Sequence, residues 1–124
     1  MSFAAVLLLL ASLAISPLPG IPAIPEGSEI QVVRDDGQSF VAIGMVTAGV
    51  LLLNTQGNGL SPNEPVKVWF LLANKAKRQT DQKIFSGRVT PDSNDILLEP
   101  NDRYSLRDVL QKVYHIELKL DRRR

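Results

Sequence analysis

The sequence predicts a mainly β protein: a small antiparallel β-barrel or sandwich of six to seven short strands, one C-terminal amphipathic helix at about 105–114, and a hydrophobic leader in front. Three observations predict it. From Glu29 onward, short runs of aliphatic, β-branched and aromatic residues alternate with turn-forming clusters. Only near residues 105–114 does the apolar period change from two to about 3.6. Ahead of both, the chain opens on an uncharged apolar run.

That run, Phe3 to Ile15, is about 13 residues long and spans about 20 Å as a helix, short of the roughly 30 Å hydrocarbon core of a bilayer. It reads as the apolar region of a secretory signal peptide over 1–14, with an uncleaved short anchor or an ordinary buried helix as the alternatives. Ser12 and Ala14 supply small residues at −3 and −1 of a cut after Ala14, although no Lys or Arg precedes the run. No transmembrane span is expected.

Pro17, Pro19, Pro22 and Pro25 follow. Their fixed φ and missing N–H groups forbid a helix, so 15–28 is expected to be a Pro-rich extended spacer between leader and domain. A single β-rich domain over 29–121 comes next, and Arg122 to Arg124 form a basic tail.

Within the domain, Ile30, Val32 and Val33 lead into Asp35-Asp36-Gly37, whose Asp-Gly pair suits a tight hairpin, and Ser39 to Ile43 is the return strand. Met45 to Leu53 is almost continuously apolar, which implies burial on both faces, and Ala48-Gly49 interrupts it as a bulge or a tight turn. Asn54 to Pro65 is a turn-rich loop. Val66 to Ala73 is the strongest strand, with Val66, Val68, Phe70 and Leu72 on one face and Trp69 and Leu71 on the other. Asn74 to Gln82 is polar and is expected to be an exposed connection; Ile84 to Thr90 and Ile96 to Glu99 are strands on either side of the Pro91 to Asp95 turn.

Leu106, Val109, Leu110 and Val113 fall at i, i+3, i+4 and i+7 and define the apolar stripe of the helix, with Ser105 as its N-cap. After it, the strict alternation of His115 to Leu120 predicts a last strand with Ile116, Leu118 and Leu120 inward.

Composition excludes several chemistries. With no cysteine, thiol catalysis, thiolate zinc and disulfide bracing are all ruled out, and a net charge of +1 gives no global attraction to polyanions. His115 is the one histidine and lies in the polar phase of its strand, so imidazole catalysis has a single weak anchor. No serine stands in a Gly-x-Ser-x-Gly elbow. Asp92-Ser-Asn-Asp95 looks briefly like a calcium loop but lacks the glycine, and Arg103 occupies the place of the bidentate acid, so a β-turn explains it. Gly57-Asn-Gly59 is followed by Pro62 where a dinucleotide fingerprint needs its third glycine. Asp35 and Asp36 are turn formers at a solvated tip. Neither a catalytic set, a cofactor nor a metal is therefore expected.

What remains is a binding surface. Trp69 and Leu71 on an outward phase, beside Lys75, Lys77, Arg78 and Arg88, are the candidate partner-binding residues. The function expected is that of an exported, secreted or periplasmic, non-catalytic binding domain: an accessory or assembly subunit in the cell envelope, facing a protein partner or forming a homo-oligomer. The competing expectations are a nucleic-acid-binding barrel that stacks bases on Trp69 and neutralises phosphates with the basic cluster, and a small hydrolase whose site the sequence does not reveal, which a close His115–carboxylate contact in a concave pocket would support.

Overall fold

The computed structural model describes residues 16–36, 39–55, 59–74, 79–99 and 104–121. The leader, the basic tail, and Lys75, Lys77 and Arg78 lie outside the described residues. Among the described residues eight strands run in the order β1 (Glu29–Arg34), β2 (Phe40–Thr47), β3 (Val50–Thr55), β4 (Pro65–Asn74), β5 (Gln79–Val89), β6 (Ile96–Leu98), β7 (Tyr104–Ser105) and β8 (Glu117–Asp121), with helix α1 (Leu106–Lys112) between the last two. They form one sheet of order β7-β6-β5-β4-β1-β2-β3-β8, curled into a half-barrel.

The mainly β class and the one helix among the described residues, near the C-terminus, are as the patterns predict. Three details differ. No second sheet is present among the described residues, so the fold is not a sandwich. The sheet does not close strand to strand; its two edges, β7 and β8, are joined instead through α1. All neighbouring strands are antiparallel except β3 and β8, which pair in parallel from Val50 opposite Glu117 to Asn54 opposite Asp121. A parallel pair needs a long crossover rather than a hairpin, and its register depends on contacts remote in sequence.

Alternation along each strand creates the core. Ile30, Val32, Ala42, Val46, Leu51, Leu53, Val66, Val68, Phe70 and Leu72 point to the concave face and are buried, Val41 joins them at the register shift opposite Val32 and Val33, and Phe70 meets Phe85 edge to face with ring centres 5.5 Å apart. Leu106, Val109 and Leu110 of α1 complete this core. The helix starts where Ser105 Oγ accepts the Asp108 N–H at 3.1 Å, and Asp108 places its charge in the first turn.

Asp95 and Arg107 tie the helix to both sheet edges. Asp95 accepts from the Ser105 hydroxyl and from the N–H groups of Arg107 (3.0 Å) and Ile96 (2.7 Å). The Arg107 guanidinium donates to the Asn94 carbonyl before β6 (2.6 Å) and to the Leu118 carbonyl on β8 (2.8 Å). The gap that hydrogen-bonded strands leave is thus spanned by one side chain.

The segment expected to be a spacer is part of the globule. Leu18 and Ile21 are 2% and 1% exposed and belong to the core cluster. Tyr114, just beyond α1, holds them: its hydroxyl donates to the Ile21 carbonyl at 2.6 Å and accepts from the Leu18 N–H at 2.9 Å. Prolines forbid regular structure but not burial of the aliphatic residues between them. The arm fills one open side of the half-barrel.

Other local expectations shift by small amounts. Ala48-Gly49 is a tight turn rather than a bulge: both residues have positive φ (52° and 75°), and the Ala48 N–H donates to Glu26 Oε1 at 2.7 Å. The polar connection after β4 is shorter than expected, because Asn74 pairs with Gln79 and the hairpin continues through polar residues whose backbones can still form a ladder. His115 is exposed with a φ of 58°, so it ends the helical segment and β8 starts at Glu117.

Candidate functional site

The convex face of the sheet has no covering layer among the described residues, and this is where the sequence pattern and the structure part company. Residues opposite in phase to the core lie in lateral rows fixed by the register. One row runs Ile84 (β5), Trp69 (β4), Gln31 (β1), Ile43 (β2) and Asn54 (β3). The next runs Gln82, Leu71, Glu29 and Met45; carrying the β2–β3 register through places Leu52 opposite Met45, and β3–β8 pairing adds Lys119.

Met45, Ile84 and Leu52 are 54%, 47% and 42% exposed, and Phe40, at the start of β2, is 51% exposed. Burial of the Met45–Leu53 run on both faces is therefore not what the structure shows: Val46, Leu51 and Leu53 are buried on the concave face, while Met45 and Leu52 stand in solvent. Their backbones are packed closely. A Cβ at Gly44 would collide with the Leu52 carbonyl oxygen, so the β2–β3 contact requires glycine there.

Trp69 and Leu71 occupy the convex face as expected, both half-buried. The indole Nε1 of Trp69 is covered and finds no hydrogen-bond partner, so this ring lies against its neighbours rather than standing free. Val33, paired with Lys67 on one side and Phe40 on the other, is 4% exposed yet outside the main core cluster, and its phase is that of the convex face. Arg88 is exposed on the same side of β5, and its guanidinium donates to the Asn63 carbonyl at 2.8 Å. The structure therefore brings Trp69, Leu71 and Arg88 to one face.

Between the two apolar halves of that face stands a polar pair. Gln31 Nε2 donates to Glu29 Oε2 at 2.6 Å, both on β1. Sequence reasoning missed Phe40, Met45, Leu52 and Ile84: the first three stand beside buried residues of the opposite phase, but nothing in the local pattern tells which phase is left uncovered.

Elsewhere the chemistry is structural. An open cleft of about 800 Å³ between the arm and the β4–β5 hairpin is lined by Gly20, Pro22, Glu26, Leu72, Asn74 and Lys83, among others. His115 does not line it, and among the described residues His115 forms no ion pair with a carboxylate. Asp92 is a turn former: its carboxylate accepts from the Thr90 hydroxyl (2.6 Å) and the Asn94 N–H (3.1 Å), bonds that hold its pKa below the usual carboxylate value. Desolvation raises the Tyr114 pKa above the ordinary phenol value, opposed by the hydrogen bond from Leu18. Glu64 pairs with Arg34 across the β1–β4 end of the sheet. Among the described residues no three His, Asp or Glu side chains gather into a metal-binding cluster, and no helix is long and apolar enough to cross a membrane.

Comparison with protein-family models finds no match, and neither do comparisons with curated proteins or with solved structures.

Proposed function

We propose that this chain is an exported, non-catalytic binding domain, an accessory or assembly subunit of a cell-envelope complex, and that the convex face of its sheet is the surface it presents to protein. One observation carries this. Strands β2, β3, β4 and β5 bear large apolar residues in both phases, as strands do when both faces are covered, yet among the described residues only the concave face carries a covering layer. Scattered single apolar residues need no explanation, but Trp69, Leu71 and Ile84 on one half and Ile43, Met45 and Leu52 on the other form contiguous rows. An aromatic anchor surrounded by aliphatic residues, with Arg88 at the rim, matches the composition of protein interfaces.

Export rests on the Phe3–Ile15 run. A cut after Ala14 would leave Leu18 and Ile21, and with them the arm contacts, in the mature chain.

The nucleic-acid alternative needs cations that can reach phosphate beside a free aromatic face. Arg88 spends one N–H on Asn63, and Trp69 is half-buried, so apolar docking is better supported. The two are separated by salt, since phosphate contacts weaken steeply as salt rises and apolar docking does not.

The test is photo-crosslinking in the native host, with a reactive side chain placed at Met45, at Ile84 or, as control, at the exposed Lys112 of α1. Discrete protein adducts from Met45 or Ile84 and none from Lys112 are expected. Silence at both convex positions overturns the docking face; recovery of the protein in the cytosol with Met1 intact overturns export.

A further inference from the structure

The row Glu29 (β1), Met45 (β2), Leu52 (β3), Lys119 (β8) reads acid, apolar, apolar, base across four adjacent strands. This order is its own complement. A two-fold axis lying along the strand direction, between β2 and β3, turns the row over onto itself: Glu29 then faces the second copy's Lys119, Met45 faces its Leu52, and both contacts occur twice. We propose that the β1-β2-β3-β8 half of the convex face binds a second copy of this chain in this arrangement. The proposal rests on the convex face being a docking surface, and it names the occupant of one half of it.

Several features of the structure favour a second copy over an unrelated protein. Met45 and Leu52 are the exposed apolar pair at the centre of the row, where an isologous contact is driest. Lys119 is exposed and has no carboxylate partner among the described residues, so its charge is available at the edge. Glu29 is held in place by Gln31, which fixes the carboxylate on this face. Any arrangement centred on β1 would instead bring the two Glu29 carboxylates together; the axis between β2 and β3 is the one that pairs opposite charges.

Packed sheets lie about 10 Å apart and cross at about 30°, so a twisted, convex pair touches over these central strands and splays outside them. A contact confined to these central strands falls short of the about 800 Å² per partner of a standard interface, so a reversible dimer is the form we expect. Trp69, Leu71 and Ile84, on the other side of β1, stay free for a different protein.

Sedimentation of the chain as recovered from its native host tests this over a wide concentration range. The wild type should show a monomer–dimer equilibrium. Glu29→Lys and Lys119→Glu each replace two opposite-charge contacts by like-charge ones and should each weaken the dimer by about tenfold or more. Mixing the two variants restores both pairs in a heterodimer, and E29K/K119E restores them in a homodimer. A wild type that remains monomeric at every concentration overturns the proposal, as does a dimer indifferent to both exchanges or a mixture that stays apart. Far-UV dichroism confirms folding; where a charge reversal unfolds the chain, Glu29→Gln and Lys119→Gln take its place, each expected to weaken the dimer and each overturning the proposal if it does not. Crosslinks from Ile84 to another protein alongside a monomeric wild type would remove the second copy and leave the docking face standing.

Discussion

The two faces of the curled sheet are built from the same strands and from similar residues, yet they do different work. On the concave face Phe70, Val68, Leu51 and Leu53 are fully buried beneath α1 and the proline-rich arm; on the convex face Met45, Leu52 and Ile84 keep about half of their surface in water. Side chains of one strand alternate between these environments every residue. The concave set therefore bears on stability, and the convex set is free to be chosen for contact with something else.

Substitution on the two faces should expose that division most sharply. Phe70→Ala removes a buried ring that also touches Phe85, and should cost roughly 3–5 kcal/mol in denaturant-induced unfolding. The arm is the next discriminator, because it appears peripheral in sequence and is central in packing. Leu18→Ala should cost roughly 2–5 kcal/mol, against about zero if the arm were a solvated spacer. Tyr114→Phe deletes the hydroxyl shared by Leu18 and Ile21 and should cost roughly 1–3 kcal/mol.

The same phenol sets an alkaline limit. Its folded pKa lies above the unfolded value, so the neutral form's contribution is complete below pH of about 10 and is lost as pH rises through the folded value. A stability profile between pH 9 and 12 should fall for the wild type and flatten in Tyr114→Phe. The smallest expected change is on the convex face: Met45→Ser, Leu52→Ser and Ile84→Ser should each move stability by less than about 0.5 kcal/mol while reducing association. A large loss of stability in these three would mean that the convex face is a second core and not a contact surface.

Much of the fold was legible in the residue order. The period-two runs located most strands, the shift to 3.6 located α1 within a few residues, and Ser105 marked its N-cap. Legibility failed where two segments far apart in sequence meet. Ser105 caps the helix as its position predicts, but Tyr104-Ser105 also pairs with Leu98 and Leu97 as a short strand, a partner invisible in local pattern. Of the candidate site, Trp69, Leu71 and Arg88 do share a face; Phe40, Met45, Leu52 and Ile84 were passed over because an apolar residue in a strand carries no mark of which face will go uncovered.

By itself, then, the sequence determined the β class, the helix near the C-terminus and the set of residues that must leave water, because these follow from backbone stereochemistry and the local spacing of apolar side chains. Only the tertiary structure decided that the sheet is one layer, that the proline-rich arm is buried, that β3 and β8 run in parallel, and which apolar phase is left exposed. Those outcomes depend on which distant segments come to cover one another, and the spacing of residues along a strand is the same whether or not its far side is covered.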